Sequence, residues 1–122
     1  MSASDEYSEQ LRKAFQELQM KMVETKQRIQ HGDAVKQAQK QKERVAALTK
    51  KQLEELEPTR NVYRSVGRMY LKSSVKAEIE RHTNEIEKAK EKMAAIDKQK
   101  EYLEKSLSES ERNLREMVQS RP

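Results

Sequence analysis

Residues 75–117 read VKAEIERHTNEIEKAKEKMAAIDKQKEYLEKSLSESERNLREM, and their spacing decides the fold. Val75, Ile79, His82, Ile86, Ala89, Met93, Ile96, Lys100, Leu103, Leu107, Ser110, Leu114 and Met117 follow one another in steps of four and three without a break. Only His82, Lys100 and Ser110 are polar among them. Apolar residues recurring in this way form a single stripe on a helix, and six heptads exceed the three or four that define a coiled-coil seam. No Gly or Pro interrupts the stretch. At about 1.5 Å per residue, such a helix runs about 65 Å.

The N-terminal half follows the same rule. Leu11, Phe15, Leu18, Met22, Thr25, Ile29 and Gly32 step four and three, then the pattern slips by one residue at Gly32 and resumes as Val35, Ala38, Lys42, Val45 and Thr49. A skip of this kind locally changes a supercoil, and Gly is a weak helix residue able to absorb it. The two seams pair antiparallel. Leu11 then meets Leu114, Phe15 meets Ser110, Leu18 meets Leu107, Met22 meets Leu103, Thr25 meets Lys100 and Gly32 meets Met93. After the skip, Val35 meets Ala89, Lys42 meets His82 and Val45 meets Ile79.

Between the helices the pattern breaks. Thr49-Lys-Lys-Gln52 fits a capping box that would start a short helix, stopped near Pro58. Residues 60–72 concentrate β-branched and aromatic side chains around Gly67, which reads as a hairpin of two short strands. With Val66 and Gly67 at the turn, Tyr63 opposes Tyr70 on one face, while Val62, Met69 and Leu71 lie on the other. Ser73 and Ser74 are candidate N-caps for the second helix. The expected fold is therefore mainly α: one domain over 1–122, with helix 1 at about 5–48, a short helix or linker at 49–59, a β-hairpin at 60–72 and helix 2 at 74–118.

Composition narrows the function. The chain of 122 residues is 39% charged and only 34% hydrophobic, with 26 basic and 21 acidic residues and a net charge of +5. A globular domain of this length is normally richer in apolar residues. There is no cysteine, so no disulfide framework or thiolate metal site. No segment approaches a membrane span, and the N-terminus lacks the features of a signal peptide, so a soluble, intracellular protein is expected. With two His and no Gly-rich phosphate loop, no catalytic or cofactor constellation is present, and the chain is read as a non-enzyme. His31 and His82 read as structural or surface residues.

Two surfaces remain. An isolated hairpin is marginal in water, and nothing in the chain covers this one. Val62, Tyr63, Val66, Gly67, Met69, Tyr70 and Leu71 are therefore the candidate oligomer interface. Leu11, Phe15, Leu18 and Met22 face Leu107, Leu114 and Met117, with Val118 just off the seam. Shielded by only two helices, these groups either zip the helix ends together or form an adaptable apolar grip. Lys36, Lys40, Lys42 and Arg44, and Lys88, Lys90, Lys92, Lys98 and Lys100, form basic stretches. They read as a solvated face with ion pairs, or as a track for nucleic acid or an acidic partner. Without aromatics among them, base stacking is disfavoured.

Asn61-Val-Tyr-Arg-Ser-Val-Gly-Arg-Met-Tyr-Leu71 resembles the hairpin signature of β-type prefoldin subunits, Tyr-x-x-Val-Gly-(Lys/Arg)-(Met/Leu)-(Phe/Tyr), here Tyr63, Val66, Gly67, Arg68, Met69 and Tyr70. Lys13-Ala-Phe-Gln-Glu-Leu-Gln19, Lys100-Glu-Tyr-Leu-Glu-Lys-Ser106 and Asn113-Leu-Arg-Glu-Met117 resemble eukaryotic members of that family. The resemblance implies a cytoplasmic subunit of a hetero-hexamer of two α-type and four β-type chains. It implies ATP-independent capture of unfolded clients of the actin and tubulin class and their delivery to the cytosolic chaperonin. It brings no catalytic residue and no cofactor. A coiled-coil scaffold subunit without client binding is the alternative.

Overall fold

The computed structural model describes residues 2–120. It has four elements in the order α1 (Ala3–Glu54), β1 (Val62–Val66), β2 (Met69–Ser73) and α2 (Val75–Gln119). Two long helices with an antiparallel hairpin between them is the fold class expected. By its contacts the chain divides into two compact units. One combines the N-terminal stretch through Ala34 with the C-terminal stretch from Ile96, and the other is Val35–Ala95.

Ser2 starts α1. Its carbonyl accepts from the amides of Asp5 and Glu6, at 3.1 and 3.2 Å, and its hydroxyl oxygen accepts from the amide of Asp5 at 3.3 Å. These are donors that the first turn of a helix leaves unpaired. At the other end, α1 does not stop at Thr49 as the capping-box reading required. The Thr49 hydroxyl donates to the carbonyl of Val45 at 2.9 Å, a bond back along the helix rather than forward to a new one. The helix continues to Glu54 and Pro58 follows closely, so no separate short helix forms over 49–59.

All thirteen residues of the α2 stripe are buried or half-buried, as their spacing predicts. The skip in α1 does not occur. Leu11, Leu18, Thr25, Gly32, Gln39, Ala46 and Leu53 lie seven apart, and each is buried or half-buried. The seam thus runs through Gly32 in unbroken phase and is filled beyond it by Gln39 and Ala46. Val45 is 53% exposed while Ala46 is 2% exposed. Apolarity favoured Val45, but a helix keeps its phase unless something forces it, and a small Ala fits a close helix–helix approach. Gly32 itself faces Ile96, whose Cγ2 lies 3.3 Å from where a Cβ on the glycine would stand, instead of the Met93 of the seam pairing. The Lys100 ammonium reaches along the seam edge to Asp33, its Nζ 3.7 Å from Oδ1.

In the hairpin, Val66 pairs with Met69, Ser65 with Tyr70, Arg64 with Leu71, Tyr63 with Lys72 and Val62 with Ser73. The loop is Gly67-Arg68, one residue later than expected. Tyr63 and Tyr70 therefore share a face but sit diagonally rather than opposite. Gly67 has a φ of 60° and no other described residue has a positive φ. Gly in the first of two loop positions matches a II′ turn, whose twist suits the flanking strands. Ser74 caps α2, its hydroxyl accepting from the amide of Ala77 at 3.0 Å and its carbonyl from that of Glu78 at 3.0 Å.

Candidate functional site

Two regions bring the candidate residues together, one in each unit. In the unit made from the chain ends, α1 and α2 form a seam with a cleft along each side. One cleft, of about 390 Å³, is lined by Phe15, Leu18, Leu114 and Val118, with Glu111, Arg115 and Gln119 at its rim. The other, of about 320 Å³, is lined by Leu18, Leu114 and Met117 with Ala14, Glu17, Lys21, Ser110 and Asn113. Leu114 is buried between the two and forms a shared floor. Phe15 is 47% exposed and does not cover Ser110, because the seam position is taken by the smaller Ala14. Met22 is exposed, while Leu11 and Leu107 are half-buried seam residues; none of these three lines either cleft.

Two residues that the sequence pattern did not single out hold this region. The Tyr7 hydroxyl donates to the carbonyl of Met117 in the last turn of α2 at 2.7 Å. The Lys21 ammonium donates to Ser110 Oγ at 2.7 Å and to the Ser106 carbonyl at 3.3 Å. Each ties α1 to α2 within a turn or two of the clefts. Tyr7, Ala14 and Lys21 lie seven apart and are half-buried, so both residues hold seam positions, but a tyrosine and a lysine beside a small Ala gave no apolar signal.

The second region is the hairpin. Tyr63, Val66, Met69, Tyr70 and Leu71 are all exposed, Tyr70 at 73% and Met69 at 64%. Val62 is half-buried. Val66, Met69 and Leu71 share one face with Val62, and Tyr63 and Tyr70 share the other, so both faces carry large apolar groups. The sheet has two strands among the described residues, and each strand has one unpaired edge.

The hairpin is fastened to α2 by charge. Arg64 Nε and Nη2 donate to Glu78 Oε1 at 3.0 and 2.8 Å. Arg81 Nε donates to Glu78 Oε2 at 2.9 Å, and Arg81 Nη1 to Glu85 Oε1 at 2.8 Å. Glu78 is only 5% exposed. Burial alone would raise its pKa, but hydrogen bonds from Arg64, Ser73 and Arg81 and the charge of Arg81 outweigh it and hold the carboxyl at about 2, below the ordinary 4.5. Both carboxylate oxygens are thus engaged by guanidinium forks, which fixes direction as well as distance. Glu78 and Arg81 are neighbours three apart on α2, but Arg64 lies 14 residues away on β1, and no helical spacing marks it as their partner. No group of three or more His, Cys, Asp or Glu among the described residues could hold a metal ion, and no described helix is long and apolar enough to cross a membrane.

Comparison with known proteins gives these surfaces a family context. The family model described as prefoldin subunit matches residues 16–121. A Caenorhabditis elegans protein named probable prefoldin subunit 1 is 50% identical over 113 residues, covering 93% of this chain and 97% of its own. Human prefoldin subunit 1 is 36% identical over 115 residues, covering 92% of each chain. Among solved structures, the prefoldin beta subunit from Thermococcus strain KS-1 superposes with a TM-score of 0.70 at 20% identity, covering 88% of this chain and 90% of that one.

Proposed function

The chain belongs to the prefoldin family of chaperone subunits, and on that premise we propose that it is a β-type subunit of an ATP-independent, cytosolic hetero-hexamer that holds unfolded proteins. The hairpin joins the hairpins of sister subunits, two α-type and four β-type chains in all. The clefts flanking Leu114 grip exposed apolar segments of clients of the actin and tubulin class, which then pass to the cytosolic chaperonin.

The observation that carries the reading is the apolar cleft of Phe15, Leu18, Leu114 and Val118, backed across Leu18 and Leu114 by a second, more polar one. Only two helices shield these groups, so a client side chain reaches them without any opening step. The grip is apolar and shallow, which suits segments of varied sequence. The exposed hairpin supports the assembly half of the reading, since large apolar groups on both faces of a two-stranded sheet are stable only when covered.

A photo-activatable residue at Phe15 or at Val118, in the assembled complex, should crosslink to chemically denatured actin. The same group at the exposed Lys98 should not. Equal crosslinking at all three positions, or none at Phe15 and Val118, would remove the cleft assignment and leave a scaffold subunit.

A further inference from the structure

Within Val35–Ala95 lies a third depression, of about 470 Å³, that neither the hairpin nor the clefts of the other unit involve. Its floor is apolar, made by Val45, Ala46 and Ala89, and Lys42, Lys88, Lys92 and His82 stand around it. Val45 is exposed here because the seam passes through Ala46, and Leu48, one turn further along α1, is exposed too. The heptad phase thus turns two large aliphatic groups outward.

The charge around this floor is uncompensated. Glu85, the one carboxylate that lines it, is already engaged by Arg81 at 2.8 Å and lies 3.3 Å from His82 Nδ1. Glu43 leans to Lys90, 4.0 Å away. Lys42, Lys88 and Lys92 have no ion-pair or hydrogen-bond partner among the described residues. Three ammonium groups over an apolar floor are complementary to carboxylates flanking an aliphatic side chain. Without partners in their own chain they attract an approaching acidic segment at long range, and the floor gives it a place to anchor.

We propose that this groove docks an acidic peptide segment of a partner protein, an amphipathic stretch whose aliphatic side chain sits on Val45 and Ala89 and whose carboxylates meet Lys42, Lys88 and Lys92. Nucleic acid fits less well. No aromatic ring lines the groove for a base to stack on, and an aliphatic floor gives phosphate nothing. The site is independent of client capture, and its failure would leave the clefts around Leu114 untouched.

The test uses the assembled complex and a fluorescein-labelled synthetic helical peptide with Leu at every fourth position flanked by Glu. Fluorescence anisotropy should show binding that weakens by about tenfold in Lys88→Glu/Lys92→Glu and in Val45→Ser. It should be unchanged in Lys26→Glu, an exposed lysine of the other unit. On the unaltered complex, a peptide with Ser in place of Leu, or Lys in place of Glu, should bind at least tenfold more weakly, a comparison that does not depend on any variant folding. The proposal is overturned by no binding of the Leu/Glu peptide, or by equal binding of the Ser-substituted peptide, which would mean charge alone. It is also overturned by equal or tighter binding of a labelled single-stranded RNA of similar length. Concentration-dependent pairing of complexes, lost in the same variants, would make the occupant a second copy and would equally overturn it.

Discussion

Glu78 shows what one residue can hold in a chain with so small an interior. Its two oxygens are held by Arg64 from β1 and Arg81 from α2, so one carboxylate joins two elements. Its pKa is lowered, from 4.5 to about 2. The stabilisation is therefore fully present above about pH 5 and is lost as pH falls towards 2, as the carboxyl takes up a proton. A shift of that size corresponds to about 3 kcal/mol. Glu78→Gln should flatten the acid limb of the stability profile, followed by circular dichroism in denaturant at stepped pH. At neutral pH, Glu78→Ala should cost about 1–2 kcal/mol, less than a fully buried pair, because Arg64 and Arg81 both reach water and Arg81 keeps Glu85. If the acid limb is the same with and without the carboxyl, the hairpin is not fastened in this way. Gly67 answers to a different constraint. Nothing lies within 4 Å of a Cβ placed there, so space is no obstacle, but its φ of 60° is one that L side chains rarely adopt. Gly67→Ala should cost about 1 kcal/mol, and Gly67→Asn less. Hydrogen exchange of the strand amides is the readout; equal protection in wild type and Gly67→Ala would exclude the strained turn.

At the scale of the element, the seam of α1 is the informative case. Gln39 occupies a buried seam position. A polar residue at such a position helps to fix register at a cost in stability. Gln39→Leu should therefore raise the thermal midpoint, by the equivalent of about 1–2 kcal/mol, while loosening the choice of helix phase. A lowered midpoint would mean that the amide makes a bond the seam depends on. The same residue marks where sequence reading succeeded and failed. In α2 the apolar residues coincide with the geometric seam, and every position was legible. In α1 the two part company on both sides of Gly32: Phe15, Met22 and Val45 are more apolar than Ala14, Lys21 and Ala46, yet the helix phase turns the latter three inward. A count of apolar residues therefore gave a false skip. Thr49 misled for a related reason, since a hydroxyl followed by Gln three residues later looks alike whether it begins a helix or bonds back within one. The hairpin was legible as an element from its β-branched and aromatic residues. Its turn was set one residue too early, since Gly67 fits more than one turn type and only its φ separates them.

For the whole molecule, the described residues divide their apolar surface between inward seam and outward patches. The buried hydrophobic residues are Ala46, Val75, Ala89 and Leu114 alone, whereas Tyr63, Met69, Tyr70 and Leu71 all stand in solvent on the hairpin. The candidate clefts were legible in part: Phe15, Leu18, Leu114, Met117 and Val118 line them, but Tyr7 and Lys21, which brace them from seam positions, are too polar to mark the seam. Met69→Asp or Tyr70→Asp should leave the helices intact by circular dichroism yet keep the chain out of the hexamer, measured by native mass spectrometry with the partner subunits. A hexamer of normal mass in either variant would remove the hairpin from the interface.

No large side chain among the described residues is fully buried. Unfolding this chain alone would wet little new apolar surface, and the heat capacity of unfolding rises chiefly with that surface. Its stability would then vary gently with temperature, without the steep loss on cooling or heating that a thick core imposes. In the proposed assembly, the stronger temperature dependence would lie in the contacts between subunits. Chill or heat would therefore act on the assembly before it acts on the helices.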